Sequence, residues 1–189
     1  MKLYKVLISL ILLCCYANPS YCETYIIDAV KNSVLHNNKG MNHFNEGYYY
    51  GAIQEFKIAI SLNPDTQASA NYYDNLGRTY LAIGYPELAE NCFLDAIKLN
   101  PMNLSYRQHL AGAYRRMGKI ILETKLDYYL NSDKPIDAIM VGLLFIEKGE
   151  KEAGIIKLDE FAMMNQNLII SQGIKTYIKT LQPINLDEL

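Results

Sequence analysis

The sequence predicts an all-α fold, a helical-repeat solenoid of antiparallel helix pairs with a C-terminal capping helix. Three observations predict it: a segment that recurs after 37 residues, glycines spaced to end the first helix of each pair, and a helical stripe of apolar residues near the C-terminus. Half of the 189 residues are apolar and a fifth are charged. This composition is typical of one folded domain or one short repeat array.

The recurrence is clearest where two segments end, in the strings IAISLNP and DAIKLNP. The residues that return 37 positions later are Gly40, Gly47, Ala52, Phe56, Ala59 and Asn63-Pro64, which match Gly77, Gly84, Ala89, Phe93, Ala96 and Asn100-Pro101. Glycine caps a helix C-terminus in the left-handed conformation, and proline cannot continue a helix. The sequence therefore predicts helix hairpins at about residues 33–66 and 70–103.

Two degenerate units follow, at about residues 104–134 and 135–165, so that the repeats together span 23–165. The third unit keeps a first helix that ends at Gly118, but its second helix carries Glu123 and Asp127 where the first two units have small and aromatic residues. The residues that repeat in the fourth unit are Gly142, Phe145, Gly149, Gly154, Leu158 and Phe161. Because each hairpin leaves an apolar face that a neighbour must cover, at least three units are expected.

The pattern resembles the tetratricopeptide repeat (TPR), a helix-turn-helix unit of about 34 residues. The second segment has a matching residue at every signature position: Tyr73, Leu76, Gly77, Tyr80, Gly84, Ala89, Phe93, Ala96 and Pro101. We expect Gly77 to face Ala89, because two residues with almost no side chain let the helices of one hairpin approach closely. The resemblance also implies that the first helix of each hairpin lines the inner, concave surface.

Residues 166–182 are predicted to form the capping helix, and residues 183–189 a tail. The apolar stripe of this helix consists of Ile170, Ile174, Tyr177, Ile178 and Leu181. The opposite side carries Gln172, Lys175, Thr176, Lys179 and Thr180. We expect the apolar side to seal the last hairpin and the polar side to face solvent.

The resemblance implies a partner-binding groove along the first helices. Its lining positions correspond to Asn37, Met41, Phe44, Asp74, Asn75, Arg78, Gln108, Arg115 and Arg116. The groove is amide-rich with one basic end, which suits a protein or peptide that carries acidic groups. The alternative interpretation of Arg115 and Arg116 is a solvated helix end before Gly118, where the helix dipole favours cations.

Residues typical of a catalytic or metal site do not form a recognisable pattern in the sequence. His36 and His43 are seven residues apart, about 10.5 Å along a helix, which is too far for both to bind one ion. Cys92 adjoins Phe93 and is expected to be a buried structural thiol. We therefore expect no enzyme activity, cofactor or metal. The net charge of −2 gives no indication of nucleic-acid binding.

The sequence leaves three functional classes open. The first is a non-catalytic adaptor or scaffold that binds a protein or peptide in the groove. The second is a structural subunit of a larger envelope or secretion-type assembly, which packs through the degenerate C-terminal repeats around Ile139, Leu143 and Ile146; these three residues also resemble core positions. The third is an enzyme built on a helical-repeat scaffold.

Residues 1–22 have the proportions of a secretory signal peptide. Lys2 and Lys5 precede an apolar run, Val6–Cys15, that is too short to cross a membrane as a helix. Cleavage before Glu23 or before Asn18 fits the small residues at the exit, and an uncleaved apolar anchor is the alternative. The expected location is the periplasm or the cell surface, with no membrane span left after cleavage.

A segment that resembles a second targeting signal lies at the C-terminus. The last four residues, Leu-Asp-Glu-Leu, resemble the Lys-Asp-Glu-Leu retention signal of the endoplasmic reticulum, with Leu186 in place of the basic residue. The endoplasmic reticulum lumen is therefore the alternative location for a eukaryotic source.

The signal-peptide prediction is tested by the intact mass of the protein isolated from its natural source. We expect a mass that corresponds to a chain beginning at Glu23 or Asn18, because signal peptidase removes the apolar segment. A mass that includes Met1 to Cys22 would contradict export with cleavage.

Overall fold

The structure is a computed structural model that describes the backbone of residues 19–182 and the side chains from residue 28 onward. Nine α-helices and no strand lie in this part of the chain. They are α1 (Pro19–Asn45), α2 (Tyr49–Leu62), α3 (Gln67–Ala82), α4 (Pro86–Leu99), α5 (Leu104–Met117), α6 (Lys119–Leu130), α7 (Ala138–Lys148), α8 (Lys151–Met164) and α9 (Ile169–Leu181). The helices pack as four successive hairpins followed by α9, which confirms the predicted fold class.

Most of the predicted signal peptide and the whole of the predicted tail, residues 183–189, lie outside the described residues. The last four residues of the predicted signal peptide, 19–22, belong to the start of α1. Among the helices of residues 19–182, none is both long and apolar enough to span a membrane.

The helix ends follow from local sequence. Gly47, Gly84, Gly118 and Gly149 have φ of 81°, 84°, 108° and 96°, a region that favours glycine, so the predicted helix-ending glycines are confirmed. Each of them follows the first helix of a hairpin and lets the chain reverse into the second helix. At the start of α3, the Thr66 side chain accepts a hydrogen bond from the Ser69 amide, as in a capping box.

The two helices of the second hairpin meet where Phe93 packs against Gly77. Phe93 is fully buried, and a Cβ built on Gly77 would lie 2.6 Å from the Phe93 ring. The three atoms closest to that position all belong to the Phe93 ring, so the glycine makes room for the ring. Ala89, which the sequence predicts to face Gly77, is fully buried in the same apolar cluster as Phe93.

The third hairpin is packed less tightly than the other three. Its second helix, α6, buries Leu122 and Leu126, whereas Asp127 is exposed to solvent. Helix α7 packs against both α5 and α6 and so covers apolar surface of α5 that the hairpin partner leaves open. The degenerate sequence of this unit therefore corresponds to a real difference in packing.

The fourth unit and α9 complete the largest of the three apolar clusters. Ile139 and Leu143 are 0% and 1% exposed, and Ile170 and Ile174 of α9 join the same cluster. Ile139 and Leu143 are thus core residues and offer no surface to a larger assembly. In the apolar stripe of α9, Ile170, Ile174 and Ile178 are buried as predicted, whereas Tyr177 and Leu181 are half-buried.

A pair of glycine substitutions tests the hairpin packing. Gly77→Ala and Gly112→Ala both place a methyl group inside a first helix, and both gain the same helix propensity, about 1 kcal/mol. A Cβ on Gly112 meets no atom within 4 Å, whereas one on Gly77 overlaps the buried Phe93 ring. We expect the free energy of unfolding of Gly77→Ala to be lower than that of Gly112→Ala by about 1–3 kcal/mol.

Urea or thermal unfolding followed by circular dichroism measures this difference. Gly112→Ala serves as the control, because it changes propensity without changing packing. Equal stability of the two variants would show that Phe93 does not pack against Gly77.

Candidate functional site

The first helices α1, α3, α5 and α7 lie next to one another and present a common surface. On it, Asn75 Nδ2 donates a hydrogen bond to Asn37 Oδ1 at 2.9 Å, which joins α3 to α1. The Arg78 guanidinium lies 5.4 Å from the centre of the Phe44 ring, a cation–π distance. Asn37, Phe44, Asn75 and Arg78 therefore form a continuous row across two repeats, which we call the amide–arginine row.

The three arginines predicted at the basic end have different partners. Arg116 Nη1 donates a hydrogen bond to the Leu81 carbonyl oxygen at 2.9 Å, at the C-terminus of α3. Arg115 Nε lies 2.7 Å from the Glu147 carboxylate of α7. The charge of Arg115 is therefore offset by that of Glu147. Within residues 28–182, Arg78 and Arg116 form no ion pair.

Asp74 does not lie on the open surface as predicted. Only 7% of the residue is exposed, and its Oδ1 lies 2.7 Å from His109 Nδ1 on α5. The His109 ring in turn packs against Phe93, with ring centres 5.6 Å apart. Asp74 thus joins the first helices of two successive repeats. Met41 is also not fully on the open surface, because it is half-buried and packs against the apolar core of the first unit.

Gln108 lies in a separate cleft of about 830 Å³ between α5 and α9. The residues that line the cleft are Gln67, Asn100, Met102, Asn103, Leu104, Ser105, Gln108, Ile169, Ile170, Gln172, Gly173, Thr176, Tyr177 and Thr180. No member of this set carries a charge at neutral pH. Gln172, Thr176 and Thr180 of the polar side of α9 form one wall of this cleft, and they are exposed to solvent as the sequence predicts.

Tyr177 connects the cleft to the neighbouring first helices. Burial raises the pKa of its phenol above the usual value, the Glu147 carboxylate adds to the rise, and a side-chain hydrogen bond with Gln108 lowers it in part. Tyr177 is therefore an uncharged donor and acceptor at neutral pH. Sequence reasoning placed Tyr177 in the apolar stripe and did not identify its polar contact with α5.

The remaining chemically notable side chains have structural surroundings. Burial, and after it the charge of Asp95, raises the pKa of Cys92 to about 12. The prediction of a buried structural thiol is confirmed, and a protonated thiol of this kind is a poor nucleophile. His36 Nδ1 contacts the Glu55 carboxylate at 2.5 Å. Among the described residues, no group of three or more His, Cys, Asp or Glu side chains is placed to hold a metal ion.

The comparison with protein families identifies the repeats. A family model described as a tetratricopeptide repeat matches residues 34–66 and 70–103. These two segments match the tetratricopeptide repeat model over their whole length. The surface described above is formed by the first helices of these two TPR-like hairpins and of the third and fourth hairpins. No curated protein matches the sequence.

Several solved structures are similar in fold, all at low identity. The TPR domain of OM64 from Arabidopsis is 13% identical, covers 80% of this chain and 98% of that one, and superposes with a TM-score of 0.44. A TPR protein of Thermus thermophilus is 19% identical with coverages of 82% and 94% and a TM-score of 0.46. The first TPR of Spaghetti (RPAP3), bound to an HSP90 peptide, is 16% identical with coverages of 71% and 94% and a TM-score of 0.48.

The Asp74–His109 contact gives a prediction about stability. We expect His109→Ala to lower the free energy of unfolding by about 1–3 kcal/mol, because it leaves a buried carboxylate without its hydrogen-bond partner. Asp74→Ala combined with His109→Ala should cost less than the sum of the two single substitutions, since neither group is then left unpaired.

Chemical denaturation of the four proteins in this double-mutant cycle measures the coupling. Arg115→Ala serves as the comparison, because it removes the ion pair with Glu147, in which the arginine side chain is 62% exposed. We expect this substitution to lower the free energy of unfolding by less than about 1 kcal/mol. Additive effects of Asp74→Ala and His109→Ala would show that the two side chains do not interact.

Proposed function

We propose that this chain is a non-catalytic adaptor or scaffold that binds a protein or peptide along its first-helix surface, in an exported compartment. The two tetratricopeptide repeats support this proposal, because stacked helical repeats commonly use the extended concave surface for binding. The amide–arginine row and Arg116 are the groups that recognise the partner.

The observation that carries the proposal is the pair of cations without an acidic partner among the described residues. The Arg78 guanidinium rests on Phe44, and Arg116 is held at the last turn of α3 by the Leu81 carbonyl. Both guanidinium groups are thereby held in place before a partner arrives. An arginine retains several donors after one such contact, so each can still bind a carboxylate.

The amides next to the arginines suit a peptide backbone. The Asn37–Asn75 hydrogen bond uses one donor and one acceptor of the two side chains, and Asn75 Oδ1 accepts a further hydrogen bond from Arg78 Nη1 at 3.4 Å. The remaining donors and acceptors of these half-buried amides can bind the carbonyl and N–H groups of an extended or helical peptide. The expected partner is therefore a protein or peptide segment with acidic side chains close to Arg78 and Arg116.

Export is the second part of the proposal and rests on the sequence of residues 1–22. The positive start, the short apolar run and the small residues at its end are typical of a secretory signal. The periplasm or the cell surface is the compartment that this segment supports, and the endoplasmic reticulum lumen is the alternative for a eukaryotic source.

Charge reversal of the two arginines tests the binding surface. Peptides of twelve residues are selected from a random displayed library on the purified protein, and their affinities are measured by fluorescence polarisation. We expect Arg78→Glu combined with Arg116→Glu to weaken binding at least tenfold, since a charge-assisted hydrogen bond contributes about 1.5–3 kcal/mol. Higher salt should weaken wild-type binding in the same direction, because contacts at an open surface are screened.

The control reverses two exposed cations on second helices, Lys57→Glu and Lys98→Glu, and makes the same change in net charge. This variant should bind the selected peptides as wild type does. Equal affinities of the arginine variant and wild type, with unchanged helicity, would exclude the first-helix surface as the binding site.

A further inference from the structure

We infer that the cleft between α5 and α9 binds a stretch of about five extended, uncharged residues of the partner peptide. The inference rests on the proposed function, since it assigns a second part of the same partner to a second site. It predicts a bipartite ligand in which an uncharged segment lies next to an acidic one.

The first step is the geometry of the cleft. Helix α9 lies close to the start of α5, and a Cβ built on Gly173 would be 3.7 Å from Leu104 Cβ. The lining residues of α9 extend from Ile169 to Thr180, about 16 Å at 1.5 Å per residue. At about 3.3 Å per residue, an extended peptide of five residues spans this length.

The second step is the absence of charge. All the lining residues are amides, hydroxyl-bearing or apolar side chains, or glycine. A charged group of a ligand would find no counter-charge among the lining residues. The cleft therefore favours an uncharged segment, in contrast to the surface around Arg78 and Arg116.

The third step is the supply of hydrogen-bonding groups. The Thr176 and Thr180 hydroxyls donate to backbone carbonyl oxygens of α9 at 3.1 Å and 2.7 Å, which leaves their oxygens as acceptors. Within residues 28–182, the side-chain amides of Gln67, Asn100 and Gln172 make no hydrogen bond, so each offers donors and an acceptor. This mixture matches the alternating N–H and C=O groups of a peptide backbone.

Apolar residues of the same cleft can receive the side chains of such a peptide. Met102 is half-buried and Ile169 is exposed, and both line the cleft. In an extended segment, alternate side chains point the same way, so two or three of five can contact these residues while the backbone meets the amides.

The fourth step is the position of the cleft relative to the arginines. Arg116 follows Gln108 by eight residues on α5, about 12 Å along the helix. An extended peptide covers that distance in three or four residues. One peptide can therefore place an uncharged segment in the cleft and an acidic residue near Arg116.

Two neighbouring substitutions on α9 test the inference with the selected twelve-residue peptides. Thr176→Trp fills the cleft, whereas Lys175→Trp adds the same side chain at an exposed position that does not line it. We expect Thr176→Trp to weaken binding at least tenfold and Lys175→Trp to leave it unchanged. Placing one Asp in the uncharged segment of the peptide should weaken wild-type binding to a similar extent.

The outcomes separate this inference from the proposed function. If Thr176→Trp binds as wild type does while the double arginine variant does not, the cleft is unoccupied and only the inference fails. If neither variant changes affinity, or no peptide is selected, both fail. Because Thr176→Trp could also disturb α9, amide shifts of ¹⁵N-labelled wild-type protein provide a second measurement. Peptide addition must shift Gln172 and Thr176, and unchanged shifts there overturn the inference.

Discussion

The architecture depends on one steric constraint, the absence of a side chain on the first helix at the point where a large apolar residue of the second helix must pack. The pairs are Gly40 with Phe56, Gly77 with Phe93 and Gly142 with Leu158, each separated by 16 residues. In all three, an added Cβ would lie 2.6–2.7 Å from the facing side chain. Helices held this close bring the first helices of successive hairpins side by side, which is the arrangement that the amide–arginine row requires.

The third unit shows what happens when the constraint is not met. Ala111 occupies the small position, and the residue 16 positions later is the exposed Asp127. A carboxylate cannot replace a buried aromatic ring, so α6 packs through Leu122 and Leu126 and lies less tightly against α5. Helix α7 and the C-terminal helix then approach α5 as well, which creates the charge pair of Arg115 and the uncharged cleft.

Features that depend on neighbours within one repeat could be predicted from the sequence, and features that depend on the packing of distant repeats could not. The glycines with positive φ, the buried Cys92 and the apolar stripe of α9 follow from local spacing. The Asp74–His109 contact joins residues 35 positions apart, and the Arg115–Glu147 pair joins residues 32 apart. Periodicity indicated which side of α9 is polar, but not that Gln172, Thr176 and Thr180 of this exposed side line a cleft next to α5. The repeat pattern shows that Gly77 and Ala89 are both small, but not that the Phe93 ring fills the space at Gly77.

The return of α9 onto α5 also affects the order in which the chain can fold. Most contacts of the array join successive helices, and the buried apolar residues of the first hairpin lie outside the largest core, so this hairpin can form early in synthesis. The core that contains Leu110 and Leu143 is different, because Ile170 and Ile174 belong to it as well. Until residue 181 has left the ribosome, that core exposes apolar surface. The second half of the molecule therefore becomes stable only after nearly the whole chain has emerged.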